Sequence, residues 1–486
     1  MKKYLVIAMV GAVAALGTGC SDDSDNGGTG GTAGSGGSGG TAGTGATGGG
    51  GGNVVDLCAD AGGSGQVLIE SEEITEDTLL TADCTYVLTR QVYVIGSTLE
   101  IEPGVEIGGD NGSALIITTS GMIDAEGTAE APIVFTSSRP SGERLTGDWG
   151  GVVMLGLARL SWGNAECDGT QGECVANIEG LPDSETRGRF GGDDDSHNCG
   201  TLRYARIEYA GFRFGMDNEL NALTVGGCGD TTTLEYIQVH RGLDDGFEFF
   251  GGTTNLTYGL CTGTGDDCFD TDQGYRGTIM NFIAHHFAGS SDDPRGVESD
   301  NFSSNNDVEP RSNPVMMYGT IVANTDSTTQ QGVVTRRGTY AVLDGVVVGW
   351  YERAGFDMRD ASWETGWTGV DGPFVVKNSC FTSNNPNWPP LGTDCEDENM
   401  AMGDCNDPDD VPADETFDEE TELAVGALAN QELTPAELGL TEADFEGAAN
   451  GDTPDYAIDM EGSGCMGAFA PDGTDWTEGW TAYPVN

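Results

Sequence analysis

Two series of short β-branched and aromatic runs alternate strictly along the middle of this chain, and nothing else in it limits the fold so tightly. One series holds residues 202–207, 234–239, 255–260, 279–283, 315–322, 341–348 and 374–381. The other holds residues 223–225, 247–249, 269–271, 297–299, 333–335 and 356–358. Glycine, asparagine and aspartate punctuate the gaps, as turns between strands require. A sustained period in the twenties and thirties means one supersecondary unit stacked on copies of itself. Each unit supplies at least two strands, and each strand pairs with its counterpart one coil on, about 4.8 Å away. The chain therefore reads as all-β, a parallel β-helix (solenoid). Helical periodicity is confined to residues 417–447, where Thr434-Pro435-Ala436-Glu437 has the form of a capped helix start, so the C-terminal region is short and partly helical.

Two-fold alternation assigns the faces of each strand. In the second series Leu223, Phe247, Phe269, Val297, Val333 and Phe356 stack inward as an apolar column. Their neighbours Thr224, Glu248, Asp270, Glu298, Val334 and Asp357 then face solvent, as do Phe250, Asp272, Asp300, Arg336 and Arg359 two residues further. One outer face is thus a ladder that begins acidic and gains arginines.

Three aspartate pairs sit at one corner of this ladder: Asp244-Asp245, Asp266-Asp267 and Asp292-Asp293. Two unit charges at about 4.8 Å repel by roughly 3.5 kcal/mol at an effective dielectric near 20. Three devices relieve such repulsion. The carboxylates can bind backbone N–H groups as Asx turns. Arg241, Arg276 and Arg295, all near these turns, can neutralise them. A hard cation can bind, and Ca2+ takes six to eight oxygens from carboxylates and carbonyls. The candidate metal ligands are Asp244, Asp245, Asp266, Asp267, Asp270, Asp272, Asp292, Asp293, Glu298 and Asp300. The four histidines (His197, His240, His285 and His286) lack metal-ligand spacing and read as turn or surface residues. Tyr204, Tyr209, Tyr236, Phe250 and Trp350 read as packing residues, with sugar stacking as the other use.

The chain carries 80 acids against 20 bases, a formal charge of −60. Such a surface repels nucleic acid and anionic head groups and favours cations, neutral polymers or basic proteins. Setting Cys20 aside, the remaining cysteines are even in number, which in an exported chain reads as a disulfide framework. The short-loop pairings are Cys58–Cys84, Cys167–Cys174, Cys199–Cys228, Cys261–Cys268 and Cys395–Cys405, leaving Cys380–Cys465. The acid-rich stretch from Asp394 to Glu422 reads as a solvated loop.

Residues 1–19 have the form of a signal: Lys2 and Lys3, an apolar run from Leu5 to Leu16, then Gly17-Thr18-Gly19. With Cys20 next, the segment resembles the lipobox of bacterial lipoproteins, although its leucine lies four residues before the cysteine rather than three. That resemblance implies a lipid on Cys20 and a membrane anchor, in the outer membrane or at the cell surface. Residues 20–53 are Gly-, Ser- and Thr-rich, a composition that behaves as a flexible tether.

The segments Leu99-Glu-Ile-Glu-Pro-Gly-Val-Glu-Ile107, Asp148-Trp-Gly-Gly-Val-Val-Met-Leu155, Leu202-Arg-Tyr-Ala-Arg-Ile207 and Ala468-Phe-Ala-Pro-Asp-Gly-Thr-Asp-Trp-Thr-Glu-Gly-Trp480 resemble exported right-handed parallel β-helix lipoproteins of bacteria, a family of largely uncharacterised function. The resemblance implies a right-handed β-helix over residues 95–390 and an acidic insertion with a C-terminal cap over 391–486, its tryptophans covering the solenoid end; residues 54–94, before it, read as an N-terminal cap. It implies no reaction.

Gly265-Asp266-Asp267-Cys268 is similar to a segment of polygalacturonase-type glycosidases, where paired acids serve inverting hydrolysis. The Gly-His-Gly and Arg-Ile-Lys segments of that family are missing. A pectate-lyase-like reading would use calcium with Arg295, Arg336 or Arg359 as base. The preferred expectation is a surface-anchored structural, adhesive or ligand-binding protein whose partner is an extracellular glycan or protein. The alternative is a polysaccharide lyase or glycoside hydrolase.

Overall fold

The computed structural model describes residues 54–161, 174–182, 184–215, 218–289, 294–303, 305–324, 331–359, 367, 372–388, 418–424, 426, 428–469 and 474–486. The expected signal, Cys20 and the expected tether lie outside these residues, as do Asp292, Asp293, Cys167 and the expected Cys395–Cys405 pairing.

Among the described residues the strands form an eighteen-stranded sheet and a ten-stranded sheet, with two short hairpins beside them. Within the two large sheets every pairing is parallel and joins one coil to the next, which is the parallel β-helix read from the sequence. The register follows the alternation residue by residue. Leu223 pairs with Phe247, Phe247 with Phe269, Phe269 with Val297, Val297 with Val333 and Val333 with Phe356. All six are buried. The Phe247 and Phe269 rings stack with centroids 4.8 Å apart, so the column gains aromatic pairing beyond area burial.

Stacking begins earlier than expected. Val55–Asp56 pairs with Thr78–Leu80, and Gly65–Ile69 pairs with Cys84–Leu88. The segment read as a separate cap over 54–94 is itself coiled, its β pattern hidden by exposed polar residues such as Gln66 and Glu73.

The large sheet bends once per coil at a left-handed residue. Tyr204, Tyr236, Tyr258, Asn281, Tyr318, Gly345 and Asn378 occupy one register position and all have positive φ, from 45° to 72°. Glycine and asparagine accept this conformation readily, whereas tyrosine meets a steric penalty of about 1 kcal/mol or more. Ring contacts offset it. Tyr204 stacks on Tyr236 at 4.3 Å and Tyr236 on Tyr258 at 4.2 Å.

Disulfides Cys58–Cys84, Cys199–Cys228 and Cys261–Cys268 form as the short loops suggested, and Cys380–Cys465, the pair left over, forms as well. The last fastens a C-terminal strap. Short helices Pro435–Leu438 and Glu442–Phe445 open it, the first with the capping box expected at Thr434 and Glu437. The strap then runs backward over the large sheet. Ala468 N–H bonds Thr320 Oγ1, Gln238 Nε2 bonds Ala482 O, Tyr209 OH bonds Pro484 O, and Gly142 N–H bonds Asn486 O. Trp480 lies edge-on to Tyr204 and Tyr236, and Trp476 tilts against Tyr258. The tryptophans expected to close the solenoid end instead cover its flank, packed on the tyrosine column.

Candidate metal site

The acidic rows form, but they do not face open water. Thr224, Glu248, Asp270, Glu298, Val334 and Asp357 pair coil to coil in one register row, on the outer side of the ten-stranded sheet. Glu248 is 5% exposed, Glu298 3% and Asp357 3%. The solvent-facing assignment is therefore corrected: alternation fixes the side of the sheet, not whether another segment lies on it. One such segment comprises residues 174–182 and 184–190, whose Ile178 and Phe190 pack with Leu220 and Phe250 and whose Glu179 charge reaches Glu248 and Asp244.

At the corner before this row, side chains bind backbone across coils. Asn221 Oδ1 accepts the Asp245 N–H at 3.2 Å, Asp245 Oδ1 accepts the Asp267 N–H at 2.9 Å, and Asp267 Oδ1 accepts the Arg295 N–H at 2.6 Å. Each acceptor holds the residue one coil on, rather than closing the local Asx turn expected. Asp245 and Asp267 each keep a second carboxylate oxygen for other partners, while the Asn221 amide donates to Glu248.

Arginines compensate only the later coils. Arg295 pairs with Glu298 and, at 3.7 Å, with Asp267. Arg336 pairs with Glu298 and with Asp300 at 3.0 Å, and Arg337 reaches Asp300 at 2.6 Å. Arg359 holds Asp357 at 2.8 Å. Arg241 and Arg276, expected beside the pairs, go elsewhere: Arg241 donates to Ala449 O and Arg276 pairs with Asp195. Among the described residues no salt bridge reaches Asp244, Asp245, Glu248, Asp270 or Asp272.

Acids of the early and later coils are brought together. Asp244, Asp245 and Asp266 place ligand oxygens within 4.8 Å of one another, as do Asp245, Glu248 and Asp270, and as do Asp267, Asp270 and Glu298. Asp272 and Asp300 stand in the next row. Burial pushes the Asp244 carboxyl up to about 8, helped by the Asp266, Glu179 and Glu219 charges. Burial, with the Asp300 charge, pushes Asp272 up to about 8. Asp245, Glu248, Asp267 and Asp270 are held well above the ordinary carboxylate range, again by burial first and neighbouring acids second. Such a cluster needs protons or a cation.

Two further atoms fit a cation. Asp270 Oδ1 is buried without a hydrogen-bond partner, and so is the hydroxyl of Thr224, the row partner of Glu248. An oxygen-only donor set of this kind suits a hard ion such as Ca2+. Thr224 is absent from the acid motif, and only the row register reveals its place.

The histidines were misplaced by sequence. His240, His285 and His286 are fully buried rather than at the surface. His286 Nε2 donates to the Asp266 carbonyl at 2.9 Å, tying the acid corner to the large sheet.

Residues 72–426 match the family of pectate-lyase-like β-helix domains, and the chain belongs to that family. Among solved structures it is similar to the mannuronan C-5 epimerase AlgE4 A-module of Azotobacter vinelandii, with 12% identity and a TM-score of 0.25 over 68% of this chain and 82% of that one. No curated protein matches the chain.

Proposed function

We propose that the protein is a lipid-anchored β-helix of a bacterial cell envelope, with a structural, adhesive or glycan-binding role, and that its acidic corner takes Ca2+. The observation that carries the cation is the pair of groups Asp245, Glu248, Asp270 and Asp267, Asp270, Glu298, which share Asp270 and are mostly buried. Membership of a pectate-lyase-like family supports a carbohydrate partner. Binding is favoured over cleavage because Asp267, the second acid of the polygalacturonase-like segment, is spent on the Arg295 N–H and is 3% exposed. A catalytic pair needs both acids open to water and substrate.

Chelator-treated protein should rise in melting temperature when millimolar calcium is added. An unchanged midpoint removes the cation from the proposal. A screen of acidic glycans, with and without calcium, tests the rest: retention without new reducing or unsaturated ends is expected, and cleavage abolished by Asp270→Asn would establish the lyase or hydrolase alternative. Palmitate labelling lost in Cys20→Ala tests the anchor.

A further inference from the structure

The outer row of the large sheet carries two histidines that the acid corner does not use. His240 and His285 stand two coils apart in one register row, with Thr262 between them. Both are buried by the strap. His240 Nε2 lies 2.9 Å from Pro484 O, so this nitrogen carries a proton and donates it, while Nδ1 lies 2.8 Å from Thr262 Oγ1. His285 Nε2 donates to Asn324 Oδ1 at 2.8 Å, while Nδ1 accepts from the Tyr456 hydroxyl at 2.9 Å. Phe445 and Tyr456 close over His285 edge-on, and Tyr483 closes over His240. Pro484, Tyr456, Phe445 and Tyr483 are all strap residues. The docked strap thus engages one nitrogen of each ring.

Among the described residues no carboxylate is hydrogen-bonded to either ring to balance a second proton. Around His240 stand Arg241 and Arg206, both cationic, with Tyr209, Tyr483 and the Glu208 carboxylate. Glu208 is already engaged by Arg206 at 3.1 Å and Arg144 at 3.7 Å. Around His285 stand His286, Asn324, Tyr456 and the Glu446 backbone, with no carboxylate bonded to the ring. Burial holds both rings at about 3, far below the ordinary histidine range, and the neighbouring arginines and His286 push the same way.

We propose that the C-terminal strap is an acid-released latch: protonation of His240 and His285 undocks residues 438–469 and 474–486 from the large sheet while the coils stay folded. The sign follows from linkage. A base whose docked form resists protonation contributes docking stability above its free value, and loses it as pH falls toward the docked value. Each histidine weakens docking by up to about tenfold per pH unit below its ordinary range near 6.5. The Cys380–Cys465 disulfide keeps the freed strap attached, so the step is reversible. Undocking bares the Tyr204, Tyr236 and Tyr258 stack that Trp476 and Trp480 cover.

Hydrogen exchange of the full-length protein in millimolar calcium tests this, with protection corrected for the intrinsic pH dependence. Between pH 7 and 4.5 strap peptides should lose protection by at least about tenfold, while peptides from residues 223–299 hold theirs. His240→Gln together with His285→Gln keeps a donor and an acceptor at each site and cannot take the proton, so strap protection should become independent of pH. Loss of protection that persists in this double variant, or that spreads equally to the coils, overturns the latch. Should the variant not fold, C2–H exchange of the wild-type histidines decides. His240 and His285 must resist exchange at pH 7 and yield together with the strap; exchange as fast as that of His197 at pH 7 overturns the proposal.

Discussion

Asp267 holds Arg295 twice, once by its backbone and once by its charge. Its Oδ1 accepts the Arg295 N–H at 2.6 Å while its Oδ2 lies 3.7 Å from the guanidinium. The same aspartate donates its own N–H to Asp245 Oδ1. A carboxylate at this position is thus a rung between coils first and a charge second. The two roles can be separated by substitution.

Asp267→Ala leaves the buried Arg295 N–H without its acceptor and should cost about 1–3 kcal/mol. Asp267→Asn keeps an acceptor and removes a charge, so in chelator at pH 8 it should be no less stable than wild type. Urea unfolding of both variants, with calcium absent, measures the difference.

The acid corner should set the pH dependence of the metal-free protein above the histidine range. Asp244 and Asp272 are held at about 8 in the fold, against an unfolded value near 3.8. A raised folded value means stability that is fully present below 3.8 and lost as pH rises through 8. The melting temperature in chelator should therefore fall between pH 6.5 and 8.5, and calcium should remove most of that fall. Thermal melts by circular dichroism at the two pH values, with and without calcium, check both statements.

Trp480 is 1% exposed, sits against two tyrosines and accepts Arg206 at its carbonyl. Trp480→Ala should cost about 3–5 kcal/mol. The loss should localise to the strap, seen as faster exchange in residues 474–486 with the coils unchanged.

The Cys380–Cys465 bond closes a loop of 85 residues. Cys465→Ser should destabilise by about 2–5 kcal/mol. Because the strap is what it tethers, protease sensitivity should appear first within residues 438–469.

How much of this was legible depended on whether the signal was local. The register of Leu223, Phe247, Phe269, Val297, Val333 and Phe356 followed from period-two alternation, since a slip by one residue would turn Phe247 outward and Glu248 into the core. Three disulfides followed from short loop length, and Cys380–Cys465 only as the remaining pair. The strap was not legible, because its contacts join Ala482 to Gln238 and Pro484 to His240, separations that no periodicity encodes. Burial of Glu248 and Glu298 was missed for the same reason. Tyr204 and Tyr236 fell between: their side chains pack as read, but nothing in a strand-like run such as Leu-Arg-Tyr-Ala-Arg-Ile marks the tyrosine as a left-handed corner.

A stack of coils with contacts only between neighbours can be peeled from either end, one turn at a time. The backward strap changes that mechanics. By joining Gly142 to Asn486 and Thr320 to Ala468, it places early and late turns in parallel under load rather than in series. A pull on the last coils must first shear the strap from the flank, so the molecule yields as a block at higher force instead of unspooling.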